Sequence, residues 1–340
     1  MDVKGLLPPL AGIRNLPHSA RPRLYLSGST PLRRWQESAL YPAFRRTARL
    51  YRVFLRCKAA LAFRAATTNS AHLWVVREFV GDLIPSLRSS VILVGTPGPA
   101  QKMIMQLWDE NGVAGYLKYA EKPAARKRLE GERHVLAALP DSLGPAVIKY
   151  GKIADGAGLL LSPIVGRPLA PKLPPEQSVI DFLQPRASAE LASIENHPWT
   201  RMIRERYPSM DRCLDDLNGR KWPITIHHGD AAPWNILRTS DDKLRAIDWE
   251  YGAAKGFPYL DLAHYILQVS LLIHRCSPEE ARKRAVHFVC RNSSPALRVI
   301  EGEAVVRLAA FHAYMQLQED GHPDDAVFQT WRRWVWECRQ

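Results

Sequence analysis

The stretch that most constrains this chain lies between Ile224 and Glu250. It holds Ile224-Thr225-Ile226-His227-His228-Gly229-Asp230-Ala231-Ala232-Pro233-Trp234-Asn235-Ile236-Leu237, and then Ala246-Ile247-Asp248-Trp249-Glu250. The run Ile224–Ile226 delivers a loop carrying His228, Asp230 and Asn235. The run Leu244–Ile247 delivers Asp248, after a turn at Ser240-Asp241-Asp242. Two strands joined by that turn would set the loop residues beside Asp248. Asp248 and Asn235 are hard oxygen donors suited to Mg2+, an ion that keeps waters and substrate phosphates in its shell. Asp230 is placed to accept a proton from an incoming hydroxyl. Phosphoryl transfer needs those parts, plus a cation on the phosphates.

The cation is expected upstream. Residues 90–120 read as a three-strand antiparallel meander: Val91–Gly95, Met103–Trp108 and Gly115–Tyr119, with a hairpin signal at Asp109-Glu110-Asn111-Gly112. Lys118 falls at the end of the third strand. A helix over 123–139 follows and offers a carboxylate to hold it, Glu132 or the competing Glu130. The turn at Gly95-Thr96-Pro97-Gly98-Pro99 is expected over the nucleotide phosphates, since Gly permits close backbone approach. Pro97 and Pro99 depart from that role, because neither has a backbone donor. The signatures GxxxxGK[ST] and GxGxxG are absent, which disfavours a P-loop NTPase or a Rossmann dehydrogenase.

Asp230, Asn235 at +5 and Asp248 thirteen further on resemble the kinase catalytic loop and its metal-binding Asp. The wording HGDAAPWNIL, AIDWEYG and PYLDLAHY is similar to the aminoglycoside phosphotransferase and choline kinase-like family. The resemblance covers residues 90–270, is looser over 271–340, and does not reach 1–88. It implies an α+β, bilobal protein kinase-like fold, with a small antiparallel-sheet N-lobe over 89–165 and a mainly helical C-lobe over 166–340. A basic helical extension over 1–88 would precede them. It implies Asp230 as catalytic base, His228 as the structural histidine of that loop, and Asn235 and Asp248 as Mg2+ ligands. Lys118 and Glu132 would be the ion pair on ATP or GTP, with Gly95 and Gly98 at the nucleotide, and Asp261 would brace the C-lobe. His227, Trp234 and Trp249 are expected to pack. Trp331, Trp334 and Trp336, with Arg332 and Arg333, form an aromatic-basic C-terminal helix whose default is packing, with substrate contact as the alternative. Glu250 is left open between the substrate pocket and solvent.

With 46% hydrophobic and 24% charged residues the chain is an ordinary globular one, neither disordered nor coiled-coil. Its charge is uneven. Residues 1–90 carry 15 basic and four acidic side chains; the other 250 carry 32 and 30. A nearly neutral body argues against a polycationic acceptor, and a sugar, glycan precursor or amino alcohol fits better. Five widely spaced cysteines without CxxC fit a reducing, cytoplasmic setting. No signal peptide is read at the start, and Ala263–Ile273, interrupted by His264 and Gln268, reads as a buried helix rather than a membrane span.

Residues 1–32 read as an extended lead-in. Over 42–64 a helix is expected with Arg45, Arg49, Arg52 and Arg56 on one face and Phe44, Tyr51, Phe54, Leu55 and Leu61 on the other. The expectation is that its apolar side docks on the body and its guanidiniums are solvated. The alternative is an anionic membrane surface on the inner face of the membrane as the partner of the arginines. No nucleic-acid motif accompanies the charge. The leading function is a small-molecule O-phosphotransferase. The others are a peripheral-membrane kinase of a lipid-linked or glycan acceptor, and a nucleotide-binding, pseudokinase-like scaffold.

Overall fold

The structure, a computed structural model, describes residues 12–17, 23–43, 46–61, 66–67, 75–185 and 187–337. The lead-in over 1–11 and 18–22, Phe44, Arg45, the expected helix past Leu61 and Cys338 lie outside them. The chain divides into two compact units, residues 1–133 with 145–163, and residues 134–144 with 164–340. The first is built on an antiparallel sheet and the second is mainly helical, so the α+β class is the one observed. Among the described residues no helix is long and apolar enough to cross a membrane, and the four described cysteines are free thiols.

The first unit holds an eight-stranded sheet. Its strands are β1 (Gly12–Leu16), β2 (Leu24–Leu26), β3 (Ala66–Thr67), β4 (Ser89–Val94), β5 (Met103–Trp108), β6 (Val113–Ala120), β7 (Val147–Ile153) and β8 (Gly156–Leu161). Their order is β3-β1-β2-β4-β5-β6-β8-β7, so the expected meander is its centre. Alternation decides the faces. Met103, Met105, Leu107, Leu117 and Tyr119 form one buried cluster with Ile92 and Leu160. Phe79 and Val80 of α3 (Val75–Val80) close it. Lys118, between Leu117 and Tyr119, therefore projects from the opposite face.

The basic segment is built onto this sheet: β2 pairs with β4, Leu24 opposite Leu93. Beside that pairing, Glu37 ends α1 (Pro31–Glu37) fully buried, accepting from Gly28 N–H at 3.0 Å and Ser89 Oγ–H at 2.9 Å. Burial pushes its carboxyl up to about 7, against the pull of those hydrogen bonds. A raised carboxylate binds its proton more tightly folded than unfolded. Its stabilisation is present below pH 4.5 and lost as pH rises through about 7. A glutamine amide in its place could donate to Ser89 and accept from Gly28. Glu37→Gln is thus expected to flatten that loss, worth up to about 3 kcal/mol, in thermal unfolding followed from pH 5 to 9. An unchanged slope would contradict it.

The helix α2 (Arg46–Leu61) corrects the expected orientation. Its packed side holds Leu55 and Ala59, with Arg52 half-buried. Arg56 lies 4.2 Å over the Trp35 ring and donates to the Trp35 carbonyl at 3.1 Å. Arg34 of α1 donates to the carbonyls of Ala59 and Ala60, where a helix C-terminus favours a cation. Leu50, Val53, Phe54 and Leu61 are left exposed, at 73, 51, 60 and 67%. Planar guanidinium stacking and carbonyl bonding won over the usual burial of the apolar face.

Helix α4 (Pro123–Ala138) starts on a proline, whose missing N–H costs nothing there. Ala125, Leu129 and Glu132 form its buried stripe, at helical spacing.

The second unit carries β9 (Gly166–Pro168), α5 (Gln177–Leu183), β10 (Ala187–Ala192), α6 (Pro198–Arg206), α7 (Asp211–Asp215), β11 (Trp222–His227), β12 (Ile236–Thr239), β13 (Leu244–Ala246) and β14 (Ala253–Gly256). Then come α8 (Leu260–Val269), α9 (Pro278–Asn292), α10 (Val299–Glu319) and α11 (Val327–Glu337). Helices α8 and α10 contribute more buried residues than any other element to one apolar core. The strands make two small sheets, β10-β11-β14 and β13-β12-β9. The hairpin β12–β13 pairs Ile236 with Ala246 as expected. Strands β9, β10 and β14 were not expected, because pairing to neighbouring strands overrides their weak local preference.

Candidate functional site

The loop between β11 and β12 is tied from below. Asp261, in the first turn of α8, accepts from His228 N–H at 2.7 Å and from Gly229 N–H at 2.9 Å. His228 Nε2–H donates to the Ile247 carbonyl at 2.8 Å, and its Nδ1 accepts from Asp230 N–H at 3.2 Å. Those two bonds select the neutral Nε2–H tautomer. The ring lies 4.6 Å from that of Trp249, which is buried and donates to the Ala246 carbonyl. The residue next door, His227, is wholly packed: its nitrogens have no hydrogen-bond partner and burial lowers its pKa to about 3.

Asp230 is held on both carboxylate oxygens. Asn235 Nδ2 donates to Oδ2 and to the Asp230 carbonyl, each at 2.9 Å. His264 Nε2 and Gln268 Nε2, one turn apart on α8, reach Oδ1 at 3.0 and 3.3 Å. Burial pushes the carboxyl up, but the hydrogen bond and charge of His264 outweigh it and the net shift is downward. The side chain is still 27% exposed, enough for a hydroxyl to reach it.

Asn235 spends its amide nitrogen on Asp230, so its Oδ1 is the atom left able to ligate. Asp248 lies near enough that its charge opposes the lowering at Asp230. It stands at φ 70°, a backbone region costly for any side chain but glycine. Among the described residues no three His, Cys, Asp or Glu gather as metal ligands by themselves. One carboxylate and one amide oxygen instead fit a hard ion that completes its shell with phosphate oxygens and water.

In the first unit, Lys118 Nζ meets both oxygens of Glu132, at 2.6 and 2.8 Å. Both residues are buried, at 6 and 0% exposure, while Glu130 is exposed. The geometry therefore selects Glu132 as partner. The expected glycine turn is more self-contained. Gly95 N–H is spent on the Lys102 carbonyl at 2.9 Å, and a Cβ there would sit 2.8 Å from that oxygen. Gln101 and Lys122 occupy the carbonyls of Gly95 and Gly98. Strand-end closure alone accounts for Gly95.

No family model matches the chain, and no curated protein matches it. Solved structures do. In structure the chain is similar to small-molecule phosphotransferases. An ethanolamine kinase from Plasmodium vivax matches at TM-score 0.42 and 12% identity, over 84% of this chain and 87% of its own. A macrolide 2'-phosphotransferase from Brachybacterium faecium matches at 0.42 and 14%, over 79 and 99%. An aminoglycoside phosphotransferase from Streptomyces rimosus ATCC10970, solved with ADP and streptomycin, matches at 0.40 and 18%, over 68 and 96%.

Two residues near Asp230, His264 and Gln268, were given no site role from sequence, and a third, Arg332, only the alternative of substrate contact. Arg332, on α11, is only 9% exposed, its Nη1 makes no hydrogen bond, and the Asp230 charge acts on it. It lines one cavity with His264 and Gln268 over a floor of Leu267, Ala309 and Ala310. The tryptophans of α11 mostly pack: Trp331 donates to the Cys276 carbonyl and Trp336 sits edge-on to Phe311.

Gly229 gives the loop its sharpest test. It stands at φ 79°, and a Cβ would lie 2.0 Å from the Tyr251 carbonyl oxygen. Gly229→Ala is expected to cost more than about 2 kcal/mol, from conformational strain and clash together. Urea unfolding measures it; a cost below about 0.5 kcal/mol, the level of a neutral surface change, would contradict the close approach.

Proposed function

We propose that the chain transfers the γ-phosphate of ATP or GTP to a hydroxyl of a small molecule. The observation that carries this reading is the Asp230 carboxylate. It is ionised by its surroundings, fixed on both oxygens and still reachable. A carboxylate so held would orient an incoming hydroxyl and accept its proton during attack. Asp248 and Asn235 Oδ1 would hold Mg2+, which, when bound, neutralises charge on the nucleotide phosphates. Lys118, fixed by Glu132, would supply the second positive charge. His228 and Asp261 would keep the loop in shape without touching reactants. In such a reaction positioning and charge stabilisation do most of the work.

For the acceptor, a sugar, glycan precursor or amino alcohol is favoured over an aminoglycoside. The Arg332 guanidinium, near enough that the Asp230 charge acts on it, disfavours a polycation beside the carboxylate and favours oxygen-rich groups. ADP (or GDP) release with Mg2+ would be measured against sugars, amino alcohols and aminoglycosides. Acceptor-dependent release with one of the first two classes is expected. Turnover confined to aminoglycosides would overturn the acceptor reading. Mg2+-dependent nucleotide binding without release on any compound would favour a scaffold.

A further inference from the structure

Helix α2 has no place in the chemistry, yet its outward face is unusual. Over residues 49–61, at about 100° per residue, Val53, Cys57, Leu50, Leu61 and Phe54 fill a continuous arc of about 100°, which Arg46 of the first turn shares. All five are exposed. Arg49 lies about 40° beyond Val53, and Lys58 about 40° beyond Phe54; both are exposed too. Tyr51, 40% exposed, stacks beside Phe54 at 6.2 Å. A helix of 16 residues therefore presents a narrow apolar stripe with a basic border on each side.

From this we infer that the outward face of α2 docks the protein on an anionic lipid bilayer, the stripe entering the headgroup–acyl boundary and the borders meeting lipid phosphates. Two observations select lipid over a protein partner. The helix contains no acidic residue against five basic ones, so its charge is complementary to an anionic plane. The stripe is one helix wide and flanked symmetrically, the shape of a helix lying in a bilayer surface. The contact differs from the one expected from sequence. There the arginine face would meet the lipid; here Arg56 is committed to Trp35 and the apolar face does.

The test is co-sedimentation of the full chain with vesicles of phosphatidylcholine alone or with about 30 mol% phosphatidylglycerol. Binding to the anionic vesicles only is expected, weakened at about 0.5 M salt, where charge attraction is screened. The triple variant Leu50→Ser, Phe54→Ser, Leu61→Ser changes exposed positions only, and circular dichroism should confirm its fold. It should bind at least tenfold more weakly. Arg49→Glu should weaken binding by a smaller factor. Wild-type protein left in the supernatant would overturn the inference. So would a triple variant that binds as well as wild type, which would reduce the contact to charge alone. Sedimentation velocity adds a third outcome: a dimer that the triple variant abolishes, without lipid binding, would make the face a contact between copies of the chain.

Discussion

Glu132→Leu alone is expected to destabilise the protein by about 3–5 kcal/mol, the cost of removing one partner of a buried ion pair. Lys118 Nζ then sits in a 6%-exposed position without the two carboxylate oxygens that now hold it. Its flanking strand residues face an apolar cluster, and its cross-strand neighbours are Ile104 and Leu159. Replacing both partners, Lys118→Met with Glu132→Leu, is expected to recover most of that loss, since well-packed apolar substitutes are often neutral. The double variant should nevertheless lose nucleotide-dependent activity. This dissociation separates a pair kept for chemistry from one kept for folding. Urea unfolding of the three variants forms the cycle, with calorimetric titration of Mg-nucleotide beside it. A double variant that is stable and keeps wild-type nucleotide affinity would remove Lys118 from the proposed role.

Asp230→Asn is expected to lower turnover by roughly 10²–10⁴-fold while nucleotide affinity stays near that of wild type, because it removes a proton acceptor. The substitution keeps the shape of the side chain but not its acceptor pattern. Asn235 Nδ2, His264 Nε2 and Gln268 Nε2 all reach the two carboxylate oxygens, so the new amide must turn its NH2 toward a donor. A stability loss of about 1–3 kcal/mol should accompany the change. Assays therefore belong well below the variant's own midpoint. Turnover within a few-fold of wild type would refute the base assignment.

The geometry of the loop around Asp230 was legible because it is local. Asp230 and Asn235 are five residues apart, and the hydrogen bonds between them use no other part of the chain. The strand carrying Lys118 was legible from alternation and its hairpin turn, which closes through Asp109 and Gly112. The choice between Glu130 and Glu132 was not, since it depends on which helix face is buried, and that is decided by Ala125 and Leu129. His264 and Gln268 did leave a trace: two polar residues one turn apart inside an apolar run, a spacing that places them on one face. Arg332 was placed in an aromatic-basic helix between packing and substrate contact, and the sequence does not say that it lies near Asp230. Strand β10, Ala187–Ala192, is made of residues that favour helix, and only its pairing with β11 makes it extended. Helix α2 was recognised as amphipathic and then turned the wrong way. The usual assumption that charge faces water failed at Arg56, which finds an aromatic face and a carbonyl inside.

The central claim is that Asp230 serves transfer of a phosphoryl group onto a hydroxyl. The most direct measurement follows γ-labelled ATP, with Mg2+ and an acceptor found in the panel, for wild type and Asp230→Asn side by side. Label should move to the acceptor's oxygen with wild type and stay on the nucleotide with the variant. Label moving equally with both proteins, or label released from ATP only to water whatever the acceptor, would contradict it.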